Sequence, residues 1–375
     1  MKKRFLGVLL SVAMVAAVLA GCGSSGAKET AAPAGSETEA ASEAASGETE
    51  AASGETEAAG NPGDVITVGF SQVGAESDWR TANSESMKST FSTENGYNLI
   101  FDDAQQKQEK QIAAIRNFIQ QEVDYIVLAP VTESGWDTVL QEAKDAEIPV
   151  IIVDRMVDVS DDSLYTAWVG SNFKLEGQKA CEWLKQYAAA KNMSEVNIVD
   201  IQGTIGASAQ IGRTEALNEA VEANGWNLLA QQTGEFTQAK GQEVMESMLK
   251  QYDNINVVYC ENDNEAFGAI EAIKAAGKTV GPDGDILVMS FDTTKQGITD
   301  TLSGDIIVNT ECNPLHGPRV EQIIKQLQAG ETPEKQAYVE EGIYAHGSDV
   351  ASVSIDGTDY EVTEVTQDVV DARAY

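Results

Sequence analysis

The sequence predicts an α/β protein built as two doubly wound parallel-sheet lobes, and three observations carry that reading. Short apolar runs rich in Val and Ile alternate with amphipathic stretches at helical period. Ten such runs fall within residues 64–375, more than one small doubly wound sheet usually holds. Charged and amide side chains gather just past the ends of those runs, where open parallel sheets present ligand-binding residues.

Residues 1–22 precede that body and differ from it. Lys2, Lys3 and Arg4 lead into an apolar stretch over 5–20, short for a membrane span, which small residues close. The closing phrase Leu19-Ala20-Gly21-Cys22 resembles the bacterial lipoprotein box. The resemblance implies that Cys22 becomes the first mature residue, lipidated through its sulfur and held to a membrane from outside the cytoplasm. Each buried methylene of an acyl chain contributes ~0.8 kcal/mol to such an anchor. The plainer reading is a cleaved secretory signal whose cysteine is incidental. Residues 23–63 are nearly all Ala, Gly, Ser, Thr and Glu, with a direct repeat of 46–52 in 53–59. That composition cannot build a core, and the recurring Ser-Gly pairs interrupt an acidic helix. The segment reads as a disordered tether with a reach of roughly 35 Å.

The formal charge of −35 describes a surface that repels phosphate backbones, which excludes nucleic acid as a partner. His316 and His346 are the only histidines, so a histidine triad or histidine-rich metal site has little to work with, and neither metal nor cofactor is expected. Cys181, Cys260 and Cys312 lack metal-ligand spacing. They read as buried free thiols, with one disulfide and one remaining thiol as the alternative.

Strands are expected at 66–70, 98–102, 125–129, 150–154 and 167–170, then at 196–202, 227–233, 257–260, 286–291 and 306–310. One helix separates most of them. Within 107–121, Ile112, Ile115, Phe118 and Ile119 fall on one face while Lys107, Lys110 and Arg116 point elsewhere. Trp136, Trp183 and Trp226 are expected to pack helices or loops onto the core. Gly203 and Gly206 fit neither a Walker A loop nor a GxGxxG fingerprint and read as a tight strand-to-helix turn.

The polar ends are Ser71-Gln72 leading to Trp79-Arg80, then Asp154-Arg155, the stretch 203–213, Glu261-Asn262-Asp263, Asp292, and 310–314. A carboxylate accepts from two neighbouring hydroxyls, a guanidinium donates in a planar fork, an amide does both, and an aromatic ring covers a sugar's carbon-bound hydrogens. Together these suit a polyol. A single Asp or Arg at a strand end is ordinarily a cap or surface charge; so many such ends exceed that explanation.

The phrases Gly69-Phe70-Ser71-Gln72-Val73-Gly74, Ser77-Asp78-Trp79-Arg80-Thr81-Ala82-Asn83, Asp103-Ala104-Gln105-Gln106-Lys107-Gln108 and Leu128-Ala129-Pro130-Val131 make the resemblance specific. Over about 65–342 the chain is similar to the class I periplasmic sugar-binding proteins of the ribose and galactose type, and within them to the galactofuranose-binding lipoproteins of ABC importers. The resemblance implies two lobes joined by a three-strand hinge, with crossings near Ser171, Cys312 and Gly342. One lobe would hold 64–170 with 313–342, the other 172–311 with 344–375. It implies that Trp79 stacks on the sugar, that Arg80 reaches into the pocket, and that Asp154, Arg155, Arg213, Asn262 and Asp292 bind it. Cys312 stands where ribose binders carry glutamine, with Asn313 or Glu311 as replacements. Gln72, Glu76 and Asp103 stand near the cleft, and Asp102 or Asp103 equally suits a cap for the helix from Lys107.

The function so implied is monosaccharide capture by hinge closure, in a monomer that hands its sugar to the permease and ATPase subunits of an importer. Galactofuranose comes first, then arabinofuranose, galactose or ribose. No enzyme activity is expected, since a glycosidase needs two carboxylates flanking the scissile bond. A transcriptional regulator would carry a basic helix-turn-helix where this chain has an apolar leader. A sensor passing the closed state to a receptor kinase would use the same pocket.

Overall fold

Parallel neighbours cannot be joined by a tight turn, so each return needs a crossover, and the helical stretches between the apolar runs supply it. The computed structural model describes residues 65–375; Cys22, the leader and the tether lie outside the described residues. The chain begins with β1 (Ile66–Gln72), α1 (Asp78–Thr90), β2 (Tyr97–Asp103), α2 (Gln108–Gln120), β3 (Tyr125–Leu128), α3 (Asp137–Asp145), β4 (Val150–Val153) and β5 (Ala167–Gly170). It continues through α4 (Phe173–Ala190), β6 (Asn197–Gln202), α5 (Ser208–Asn224), β7 (Asn227–Thr233), α6 (Gln238–Gln251), β8 (Val257–Cys260), α7 (Asp263–Ala275), β9 (Leu287–Asp292), α8 (Lys295–Ser303) and β10 (Val308–Glu311). The last part comprises α9 (Gly317–Gln328), β11 (Gln336–Tyr338), β12 (Ile343–Ala345), β13 (Ser352–Ile355), β14 (Thr358–Glu364) and α10 (Gln367–Ala372).

The first sheet has the order β2-β1-β3-β4-β5 with β11 beyond β5, all parallel. The second repeats that winding as β7-β6-β8-β9-β10. Beyond β10 it adds β12, antiparallel to β10, and then β14 with its hairpin partner β13. The two doubly wound lobes are therefore present as expected. The expectation of ten strands is corrected to fourteen among the described residues. The four additions are short or half-exposed, so none shows the apolar run that marks a buried parallel strand.

Apolar side chains cover both faces of each sheet. Ile115 and Phe118 of α2 are buried, with Ile112 and Ile119 at the margin. Trp136 and Trp183 are core residues, Trp183 stacking on Tyr187 at 4.7 Å between centroids, while Trp226 packs at the edge. The three cysteines are free and buried. Neither Asp102 nor Asp103 caps α2, whose N-cap is Lys107. The Asp103 carboxylate instead accepts from the Gln105 N–H at 2.8 Å, a local turn that ends before the helix begins.

The chain passes between the sheets three times: after β5, after β10, and between β11 and β12. One carboxylate gathers all three passages. Glu341 Oε1 accepts from Ser171 Oγ at 2.6 Å and from the Asn313 N–H at 2.7 Å. Beside it, Glu311 accepts from the Gly342 N–H at 2.9 Å and from the Tyr375 hydroxyl at 2.6 Å.

Asp200, in the middle of β6, is fully buried; it takes one bond from Gln231 Nε2 at 3.0 Å and leaves Oδ1 without a partner. Burial pushes its carboxyl up to about 7 from 3.8. A raised folded-state value adds stability that is fully present below the unfolded value and is lost as pH rises through about 7. Asp200→Asn removes this dependence. Thermal unfolding at pH 4.5 and pH 8 should show the variant gaining on the parent at the higher pH, and an equal offset at both would refute the assignment.

Candidate ligand-binding site

The carboxyl ends of both sheets face one cavity, lined from both lobes by charged, amide and aromatic side chains. On the first lobe, Ser77 Oγ accepts from the Arg80 N–H at 3.1 Å and so caps α1. That cap fixes the first turn, which delivers Trp79 and Arg80 to the cavity. Arg80 Nη2 lies 2.6 Å from Asp154 Oδ2 and 3.3 Å from Glu76 Oε1, and Arg155 donates to the same Glu76 oxygen. Asp154 sits immediately past β4 at φ +63°, a left-handed conformation that an aspartate tolerates better than a branched residue. Burial pushes its carboxyl up, but the neighbouring Arg80 and Arg155 outweigh this and hold it below the usual carboxylate range.

On the second lobe, α5 carries Arg213 into the cavity. Its Nε and Nη2 donate to Glu176 Oε2 at 2.9 and 2.8 Å, and Nη2 lies 3.6 Å from Asp292 Oδ1. Asp292 ends β9 at φ +100° and Thr293 follows at +55°, so the strand terminates in a strained pair at the cavity. Burial pushes the Asp292 carboxyl well up, because one guanidinium at 3.6 Å does not offset the loss of water. Asn262 caps α7 through Oδ1, which accepts from the Glu265 N–H at 2.9 Å, and its Nδ2 donates to the Phe236 carbonyl at 3.1 Å.

Aromatic rings close the guanidiniums in. Arg80 lies 4.5 Å from the Trp79 ring, Arg155 4.9 Å from Phe236, and Arg213 4.7 Å from Phe291. Trp79 Nε1 donates to the Cys312 carbonyl at 2.6 Å, which ties the first helix to the second passage between lobes. The two lobes also meet at the cavity rim. The Asp78 N–H donates to Asn264 Oδ1, the Met156 N–H to Ser208 Oγ and the Glu133 N–H to the Gly206 carbonyl, each at 2.9 Å. The conformation is thus closed.

The periplasmic binding protein domain family matches residues 68–310. The galactofuranose-binding protein YtfQ of Escherichia coli (strain K12) is 42% identical over 284 residues, covering 74% of this chain and 87% of that protein. The chain belongs to the periplasmic binding protein family. A crystal structure from Mycobacterium smegmatis in complex with β-D-fucofuranose is 44% identical with a TM-score of 0.72, covering 75% of this chain and 91% of the other. The periplasmic binding protein component of the arabinose ABC transporter of Shewanella sp. ANA-3, bound to α- and β-L-arabinofuranose, is 41% identical with a TM-score of 0.70. Its alignment covers 75% of this chain and 92% of that one.

Of the residues singled out from the sequence, this periplasmic binding protein brings Glu76, Trp79, Arg80, Asp154, Arg155, Arg213, Asn262 and Asp292 to the cavity. Gln72, Asp103 and Asn313 do not line it. The Gln72 amide turns back to Asn83 and Ser84, and exposed Asp103 serves its turn. Asn313 Oδ1 accepts from the Leu315 N–H, while Glu311 is held by Gly342, Arg373 and Tyr375; Cys312 itself lines the cavity. Sequence reading missed Phe173 and Phe236, which also line it. Phe236 follows β7 as another strand end, and its ring fills the space beside Gly203, where a Cβ would lie 1.9 Å from it. That close approach is the reason for the first glycine of the turn, and Gly206 holds φ +88°.

Trp79→Phe keeps an aromatic ring but removes the indole N–H, leaving the buried Cys312 carbonyl unpaired, and empties the space of the second ring. Urea unfolding should report a loss of about 1–3 kcal/mol. An unchanged midpoint would show the bond to be dispensable.

Proposed function

We propose that the protein is the solute-binding component of an ABC-type sugar importer and takes one monosaccharide, galactofuranose first, in the cavity between its lobes. The observation that carries this reading is the paired guanidinium and carboxylate sets facing one another across the cavity between the lobes. The relatives support a furanose in particular, since their ligands are galactofuranose, fucofuranose and arabinofuranose. Those relatives are binding and transport proteins, so no catalytic step is assigned.

A sugar offers little apolar area, and affinity rests on charge-assisted hydrogen bonds, each contributing about 1.5–3 kcal/mol net. Arg80 Nη1 is buried without a partner, a donor ready for a hydroxyl or ring oxygen. Asp292 stands at 3.6 Å from its guanidinium, with acceptor capacity left for two neighbouring hydroxyls. Asp154 and Arg155 offer the matching pair from the first lobe. Because the side chains already hold one another, the ligand orders few groups on entry. Trp79, Phe173 and Phe236 exclude water around it. The lobes open by rotation about the three passages, admit the sugar and close over it.

No helix of the described residues is long and apolar enough to cross a membrane. Lipidation of Cys22 would keep the loaded domain within reach of the permease, and residues 23–63 would serve as the tether. Mass spectrometry of the mature protein tests this at Cys22.

Calorimetric titration across a panel of monosaccharides should single out galactofuranose or arabinofuranose. Asp292→Ala and Arg155→Ala, with thermal midpoints near the parent's, should each weaken that sugar at least 100-fold, about 3 kcal/mol or more. Unchanged affinity in either folded variant defeats the assignment.

Closure also shields Cys312, whereas Cys181 and Cys260 are buried in the second lobe's core. In native protein, maleimide labelling should fall on Cys312 and slow severalfold with saturating sugar. Labelling at the same rate with and without sugar would speak against closure on the ligand.

A further inference from the structure

A second cavity of about 440 Å³ lies beside the passages between lobes, and its walls come from both sheets. Tyr338 belongs to β11 at the edge of the first sheet and Tyr360 to β14 in the second, while α4 contributes Glu176 and Lys179. Glu340 and Glu341 line it from the third passage.

Two features show what chemistry the cavity holds. The Lys179 ammonium lies 4.5 Å from the centroid of the Tyr360 ring and donates to the Glu341 carbonyl at 2.9 Å, so one ammonium is already seated against an aromatic wall. Tyr338, on the opposite lobe, is 59% exposed and packs only edge-on against Trp168 at 5.1 Å. Three carboxylates line it, those of Glu176, Glu340 and Glu341: Glu176 pairs with Arg213 on the sugar side, Glu341 accepts from Ser171 and Asn313, and Lys179 is the one cationic side chain among the lining residues. Glu176 is decisive, because Arg213 takes Oε2 while Oε1 is buried with no partner. A buried carboxylate oxygen without a donor is costly, and a cation in the cavity it lines would satisfy it.

We propose that this cavity is a second ligand site, taking a small organic cation with a primary or quaternary ammonium group, and that its occupation favours the closed cleft. The cation would lie between Tyr338 and the Glu176 and Glu340 carboxylates, with its hydrocarbon part against the tyrosine. Coupling follows from the position of the site. Its two aromatic walls sit on different lobes, so its shape changes with the hinge angle, and a ligand fitted to this shape favours this angle. Glu176 further links it to Arg213 in the sugar cavity. The coupling rests on the sugar-binding reading; the site itself does not.

The test uses the full chain with ring-labelled tyrosine and follows Tyr338 and Tyr360 by NMR during titration with tetramethylammonium chloride or n-butylamine, against sodium chloride at equal ionic strength. Saturable shifts of both resonances are expected. Tyr338→Ala and Glu340→Gln, at positions outside the sugar cavity, should abolish saturation of the remaining signals while leaving galactofuranose affinity in the absence of probe unchanged. At saturating probe, galactofuranose should bind on the order of fivefold more tightly, and the probe should gain by the same factor in saturating sugar. A linear shift, or saturation that survives both variants, overturns the site. A saturated site with unchanged sugar affinity overturns the coupling. Failure of every sugar to bind would defeat the sugar reading, yet the tyrosine titration would still decide the site.

Discussion

The constraint on which this structure depends is that a charge taken out of water must be met by its opposite. A cavity that recognises hydroxyls needs ionised groups, and one that excludes water makes each of them expensive. Each lobe meets the conflict within itself, the first with two guanidiniums for two carboxylates and the second in part, with one for two. The first sets Glu76 and Asp154 against Arg80 and Arg155; the second sets Glu176 and Asp292 against Arg213. Neither set draws its main partner from across the cleft, so separating the lobes breaks no ion pair. The rim contacts that do cross it are neutral hydrogen bonds, individually weak.

The backbone carries part of the same burden. Asp154 and Asp292 both occur where a parallel strand ends, and both have positive φ. The turn that follows each strand would otherwise lead the chain into its next helix without aiming a carboxylate inward. Strain at these two residues is maintained by the sheets behind them, whose apolar faces are filled from both sides. Aromatic rings over the guanidiniums lower the local dielectric, which strengthens every pair in the cavity and raises the cost of leaving any group unmet.

The winding of both lobes was legible because a parallel strand covered on two faces must be continuously apolar, as at Tyr125–Leu128 and Val257–Cys260. The late strands β11 to β14 were not, since half-exposed pairs read as loop or tail. Strand ends pointed to the polar lining of the cavity: Asp154, Arg155, Asn262 and Asp292 all follow an apolar run and line it. The side chains of Gln72, Asp103 and Asn313 turn elsewhere, to Asn83 and Ser84, to the Gln105 N–H and to the Leu315 N–H. Phe173 and Phe236 escaped notice because an aromatic residue near a strand end carries no polar signature. The ion-pair partner Glu176 lies on a helix, and nothing in its spacing marks it as meeting Arg213.

Glu341 gathers Ser171 and Asn313 on a single carboxylate oxygen, so the three connections between lobes are laced together at one level. Three untied strands would let the lobes slide or twist past each other as well as bend. Laced at one point, they leave one easy axis of rotation. The two halves of the cavity would then meet in the same register at each closure, which is what telling one arrangement of hydroxyls from another demands of a jaw with its recognition groups on opposite sides.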